Sequence, residues 1–266
     1  MTNQEQEPKK WQLEQLLATL KNHKDAVVIV GDKVVNELNL YKIDENSKQY
    51  LNKKKMVKEP KNFWSFYKEN LFDHEKRKDA SPAEKAINNL VGTGVVKTLI
   101  DLNYTGNIKV PIMSNTSYTQ LKGDVEIARC MSCDKSYKIT EDMLNTDTML
   151  KCECKGKIAP TTTLFGEKYL EKHTKAIKDA IFIEKDDEVK LNTHCLIFVG
   201  VDFEEDYMHE LIESYTAIKS EVSTDENPYF LVMITEKDGV SIEYYQPEFA
   251  TYEGIADSID RLIKMF

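Results

Sequence analysis

Four of the five cysteines fall in one short stretch, as Cys130-Met-Ser-Cys133 and Cys152-Glu-Cys154. Two residues between thiolates let both sulfurs face one ion while nearby backbone N–H groups support them. Eighteen residues separate the two pairs, a gap typical of zinc ribbons. The C-x-C half closes a tighter loop than the C-x-x-C half. Four thiolates would fill a tetrahedral shell and leave no position for water, so the expected ion is a structural zinc. The fifth cysteine, Cys195, opens the apolar run Cys195-Leu-Ile-Phe-Val-Gly200 and reads as core rather than as a reactive thiol. The opening residues MTNQEQEPKKWQLEQ lack the apolar centre of a secretory leader, and a chain of 266 residues does not need disulfides to fold. Reduced thiols in a cytoplasmic setting are the expectation.

The elements that must hold this cluster read as follows. Apolar, β-branched runs at Ala26–Val30, Val95–Ile100, Cys195–Val199 and Tyr229–Ile234 read as buried strands, two of them ending at Gly31 and Gly200. Helical spacing appears at 10–22, 63–72, 168–180, 205–219 and 252–265. Ser81-Pro82-Ala83-Glu84 reads as a capping box that opens a further helix, ended near Gly92 and Gly94. The stretch 32–60 reads as an irregular connection with room for one helical turn, Lys53-Lys54-Lys55 as part of a solvated loop, and 185–190 as a turn. Strands alternating with helices predict an α/β fold, a parallel sheet with helices on both faces. The larger domain would comprise 1–124 and 161–266, with 125–160 as a small zinc-ribbon insert. Ligands of such sheets sit beyond the carboxyl ends of the strands, here near Gly31, Asp101 and Gly200. Trp11 and Trp64 read as core, His194 as a strand-edge residue, and Tyr244-Tyr245 as lying in a strand or at its edge, with a weak suggestion of surface contact.

Charge narrows the partners. Net charge is −9 with the acidic residues spread along the chain, which argues against a phosphate-backbone binder and leaves nucleic acid an unfavoured partner. No run of about 18 apolar residues is present, so no membrane-spanning helix is expected.

Several stretches resemble the sirtuin (Sir2-like) family of NAD-dependent protein deacylases. Gly123-Asp124 is similar to the segment before the family's first zinc cysteine. Cys154-Lys-Gly156-Lys-Ile158-Ala-Pro160 is similar to its C-G-G-x-L-R-P, and Phe165-Gly166-Glu167 to its F-G-E. Phe63–Tyr67 resembles its W-x-F-Y helix, the run ending at Ile100-Asp101 its T-Q-N-I-D strand, and Leu196–Gly200 its strand ending in G-T-S. The resemblance implies a Rossmann-like domain with a zinc ribbon, NAD as cofactor, and a protein or peptide partner. It places Gly31, Asp101, Gly200 and the strand end at Ile234 along the cofactor's site.

The departures from the family pattern fall on the chemistry. Gly31-Asp32-Lys33-Val34-Val35 stands where the family has G-A-G-I-S, so Lys33 puts a side chain where bare backbone meets pyrophosphate. Leu99 stands at the family's asparagine, and Lys122 of Lys122-Gly123 at the histidine that acts as general base. Asp202 replaces the serine of G-T-S. The expectation is a sirtuin-like protein impaired in deacylation and acting by binding. The alternative is an active, divergent NAD-dependent deacylase or ADP-ribosyltransferase, in which Lys122, Gln120 or Glu167 acts near the ribose. A zinc-ribbon nucleic-acid binder with a fortuitous likeness is the third class.

Overall fold

The computed structural model of the chain describes residues 10–34, 45–72, 79–103, 108, 110–111, 114–164, 166–169, 171–185, 188–201, 206–235, 245–251 and 254–266. Helix α1 (Lys10–His23) leads into β1 (Ala26–Val30), whose five side chains are all buried. After α2 (Lys53–Lys58) and α3 (Pro60–Tyr67) comes α4 (Pro82–Gly92), then β2 (Val96–Asp101) and β3 (Ser117–Gln120). The second half adds α6 (Glu171–Ile181), β9 (Cys195–Val199), α7 (Asp206–Val222), β10 (Phe230–Ile234), β11 (Phe249–Thr251) and α8 (Ile255–Lys264). The main sheet has six strands in the order β11-β10-β9-β1-β2-β3, and every pairing is parallel.

Alternation along each strand divides the core in two. Val28 and Val30 of β1 pack with Ile87 and Leu90 of α4 and Ile259 and Leu262 of α8 on one face. Val27 and Ile29 pack with Ile177 of α6 and Ile212 and Tyr215 of α7 on the other. Each such side chain removed from water stabilises the fold by about 1.5–3 kcal/mol, so both faces bind their helices firmly. The expected α/β architecture is therefore the observed one. The strand order reverses between β1 and β9, which makes their carboxyl ends the topological switch point.

The capping box read from sequence is present: Ser81 Oγ accepts from Glu84 N–H while Glu84 Oε2 accepts from Ser81 N–H. The Ser81 hydroxyl also donates to the Val34 carbonyl at 2.7 Å, tying the start of α4 to the turn after β1.

A second, antiparallel sheet joins β4 (Ile127–Cys130), β5 (Ser136–Lys138) and β6 (Ile158–Pro160) in the order β5-β4-β6, with the short helix α5 (Glu141–Leu144) beside it. Its core is shared with α3: Phe63, Trp64 and Tyr67 bury against Val125, Ala128 and Leu144. The Tyr67 hydroxyl donates to the Val125 carbonyl at 3.0 Å, fastening α3 to the turn that leads into β4.

Two sequence expectations are corrected and one is refined. The described part of 32–60 is ordered: a 3-10 turn spans Glu45–Gln49, and the lysine run Lys53–Lys55 starts helix α2 rather than lying in a loop. Asn52 caps that helix by accepting from Lys55 N–H, and Pro60 opens α3, so the polar composition conceals two helix starts. The turn near 185–190 belongs to a hairpin, β7 (Phe182–Lys185) with β8 (Glu188–Leu191). Tyr245 is buried and its hydroxyl contacts His209 Nδ1 at 2.7 Å, so it faces inward. Phe165, Asp202 and Tyr244, and the side chain of Trp11, lie outside the described residues.

Candidate functional site

The carboxyl edge of the main sheet gathers most of the residues singled out by sequence. In register, Val30 of β1 lies beside Asp101 of β2, and Asp101 lies beside Gln120 of β3. On the other side, the Gly200 N–H donates to the Ile234 carbonyl at 2.7 Å. Gly31, Asp101, Gly200, Ile234 and Lys122 thus line one edge across β10, β9, β1, β2 and β3.

Gly31 is glycine for a steric reason. A Cβ there would stand 2.3 Å from Val201 Cα and 2.4 Å from the Gly200 carbonyl oxygen, because the ends of β1 and β9 approach backbone to backbone. The N–H groups of Gly31 and Lys33 are directed into the same contact, and that of Val34 closes the turn on itself. Gly31 N–H donates to Val199, Lys33 N–H to Gly200 and Val34 N–H to Gly31, at 2.8, 3.0 and 3.4 Å.

Lys122 follows β3, and its ammonium donates to Asp32 Oδ2 at 2.8 Å. An ammonium that donates in this way has no lone pair with which to take a proton. Sequence reasoning found both residues but missed their pairing. Opposite charges at two departures from one pattern were the available signal.

Asp101 is fully buried at the end of β2. Its Oδ1 accepts from Asn103 N–H and Asn103 Nδ2 at 2.8 and 2.9 Å, and its Oδ2 accepts from the Tyr118 hydroxyl at 2.8 Å. Burial pushes its carboxyl up to about 7, against the pull of these donors. Burial, then Asp101, drives the Tyr118 phenol up as well. Nothing in the sequence pattern flagged Asn103, or Tyr118 as a partner of Asp101. Leu99, two residues before Asp101 in β2, is fully buried in the core face shared with α4. Glu167 closes a turn by accepting from Leu164 N–H at 3.4 Å and faces Lys53 at 4.0 Å.

The four clustered cysteines come together at the open end of the small sheet. All four sulfurs lie within 4.8 Å of one another, with Cys130–Cys154 at 3.4 Å and Cys133–Cys152 at 3.7 Å. A tetrahedral ion with Zn–S bonds of about 2.3 Å has S···S edges of about 3.8 Å, so this donor set fits zinc. Gly156 makes the approach possible, since a Cβ there would lie 2.6 Å from Cys130 Sγ. The Tyr137 hydroxyl, 3.0 Å from Cys152 Sγ, holds that thiol down at about 6. The Ser132 N–H donates to Cys130 Sγ and lowers its thiol too. Cys195 is apart from this cluster and buried, and burial drives its thiol well up, as expected of a core cysteine.

The profile of the Sir2 family matches residues 17–187, well over half of the chain. The chain belongs to the Sir2 family. An NAD-dependent protein deacetylase of Saccharolobus solfataricus is 31% identical over 120 residues, covering 41% of this chain and 44% of that protein. One of Sulfurisphaera tokodaii is 29% identical over 123 residues, again covering 44% of its length. The sequence match thus spans less than half of these curated relatives. Structural likeness extends further. Sir2Tm bound to a propionylated peptide superposes with a TM-score of 0.70 at 16% identity, covering 95% of this chain and 98% of that one. A Sir2 homologue in complex with NAD gives 0.67 at 18%, covering 95% and 93%. The sirtuin fold is therefore present along nearly the whole chain, parallel sheet and four-cysteine lobe alike.

Proposed function

We propose that this Sir2-family protein has kept the fold and a structural zinc at Cys130, Cys133, Cys152 and Cys154, has lost standard NAD-dependent deacylation, and acts by binding a protein or peptide. The observation that carries this reading is the Lys122–Asp32 ion pair. It stands where a deacylase would need a proton acceptor beside an unobstructed phosphate cradle.

Three further features support it. Phosphate binding needs backbone N–H groups that point outward, and those of Gly31, Lys33 and Val34 donate to the chain itself. The asparagine position is the buried, apolar Leu99. Asp101, assigned to the cofactor's edge, already has both carboxylate oxygens engaged by Asn103 and Tyr118. These residues fit a dinucleotide poorly in the family's usual pose. Peptide binding is the activity left to the scaffold, and solved Sir2 structures hold propionylated and acetylated peptides. Binding of an acetyl-lysine peptide, followed by fluorescence anisotropy with and without NAD, tests the reading. It predicts saturable binding that NAD does not alter and no deacetylated product.

One observation favours the second reading, an active but divergent deacylase or ADP-ribosyltransferase. Asp101 carries a carboxyl near 7, and a group that titrates near neutrality can move protons in catalysis. Thermal shift with NAD, nicotinamide and ADP-ribose separates the two, because only a ligand that binds the native state raises the melting temperature.

A further inference from the structure

At the amino ends of β1, β9 and β10, opposite the edge described above, a second group of metal-binding side chains comes together. His23 ends α1, Asp25 precedes β1 and His194 precedes β9; one ligand atom from each lies within 4.8 Å of the other two. Five-residue strands put this cluster about 17 Å from the Lys122–Asp32 pair.

The surroundings of His194 point to a cation. Its Nε2 faces Asn227 Oδ1 at 3.1 Å, and its Nδ1 faces Asp25 Oδ2 at 2.7 Å. Both neighbours are acceptors. A neutral imidazole carries one hydrogen and can serve only one of the two acceptors with it. The contact left without it needs a second proton or a metal ion between its two atoms. The rest of the site is built around this contact. Asp25 is held by the His194 N–H, which donates to its carboxylate at 3.2 Å, and the Tyr229 ring stacks on His194 at 4.5 Å. The exposed His23 ring stacks on the other face, with centroids 3.5 Å apart and planes 24° from parallel.

We propose that His23, Asp25 and His194 bind one divalent transition-metal ion of the zinc, cobalt or nickel class, with water completing the shell. Two imidazoles and one carboxylate suit these ions, whereas magnesium and calcium take oxygen-only sets. The ion replaces the hydrogen between Asp25 Oδ2 and His194 Nδ1, and Asn227 fixes the ring's tautomer from outside the shell. His23, exposed at the surface, leaves the stack to bring one nitrogen to about 2.1 Å from the ion. The site then ties the end of α1 to the starts of β1 and β9.

The test uses the full chain, without an affinity tag and with zinc already at the four thiols, titrated with Co2+. The site predicts one further equivalent of cobalt with weak d–d absorption and no intense sulfur-to-cobalt charge transfer. H23A and H23Q should each weaken that binding at least tenfold. Ni2+ should raise the melting temperature of the wild type but not of H23A, and Mg2+ should do nothing. Because His23 is exposed, both variants should keep the wild-type circular dichroism. No bound cobalt beyond the thiols, cobalt seen only with the sulfur signature, or equal affinity in H23A and H23Q overturns the proposal.

Discussion

Lys122 Nζ donates to Asp32 Oδ2 at 2.8 Å, joining the turn after β3 to the turn after β1 across 90 positions of sequence. The Lys122 side chain is 12% exposed and that of Asp32 49%, so solvent screens part of the attraction. A double-mutant cycle with Asp32→Asn and Lys122→Met should give a coupling of about 0.5–1 kcal/mol in urea unfolding. Additive effects would show that the pair contributes nothing to holding the two strand ends together.

An asparagine at position 99 should harm the fold. Leu99 is fully buried among apolar side chains of the sheet face under α4. Leu99→Asn removes that packing and buries an amide, at a cost of about 2–4 kcal/mol. Chemical denaturation measures it, and a cost below about 0.5 kcal/mol would mean that the position already has polar partners.

Asp101 should make stability fall as pH rises. Its carboxyl is at about 7 in the fold against an ordinary 3.8, so the native state holds a proton that the unfolded chain releases. Its contribution is complete below about pH 4 and is lost as pH rises through 7, at about 1.4 kcal/mol per pH unit between the two. Urea unfolding of wild type and Asp101→Asn from pH 5 to 8 should show the wild type losing stability relative to the variant. Parallel curves would contradict the buried, protonated carboxyl.

Zinc retention should depend on Tyr137. Its hydroxyl donates to Cys152 Sγ and holds that thiol at about 6, so removing it makes the thiolate easier to protonate. Tyr137→Phe should release zinc to a colorimetric chelator at a pH higher by several tenths of a unit or more. Release at the wild-type pH would place the control of that thiolate elsewhere.

The parts of this molecule legible in its sequence are those governed by local rules. The β-branched run Ala26–Val30, the Ser81–Glu84 capping box and the two cysteine pairs each announce themselves within a few residues, and each stands where expected. Helix α2 was hidden because its stability comes from one cap at Asn52 and one buried Met56, not from a periodic apolar face. The Lys122–Asp32 pair and the bonds of Asn103 and Tyr118 to Asp101 were hidden for another reason. They exist only once parallel pairing sets β1, β2 and β3 side by side, and no spacing along the chain encodes that.

Nicotinamide release from NAD by the zinc-loaded wild type, in the presence of an acetyl-lysine peptide and followed by chromatography, tests the central claim most directly. With the ammonium of Lys122 committed to Asp32 and the turn after β1 bonded to β9, the account predicts no release above the spontaneous rate at millimolar NAD. Peptide-dependent, saturable release of nicotinamide would show that this strand edge still runs the reaction, and the account would be wrong.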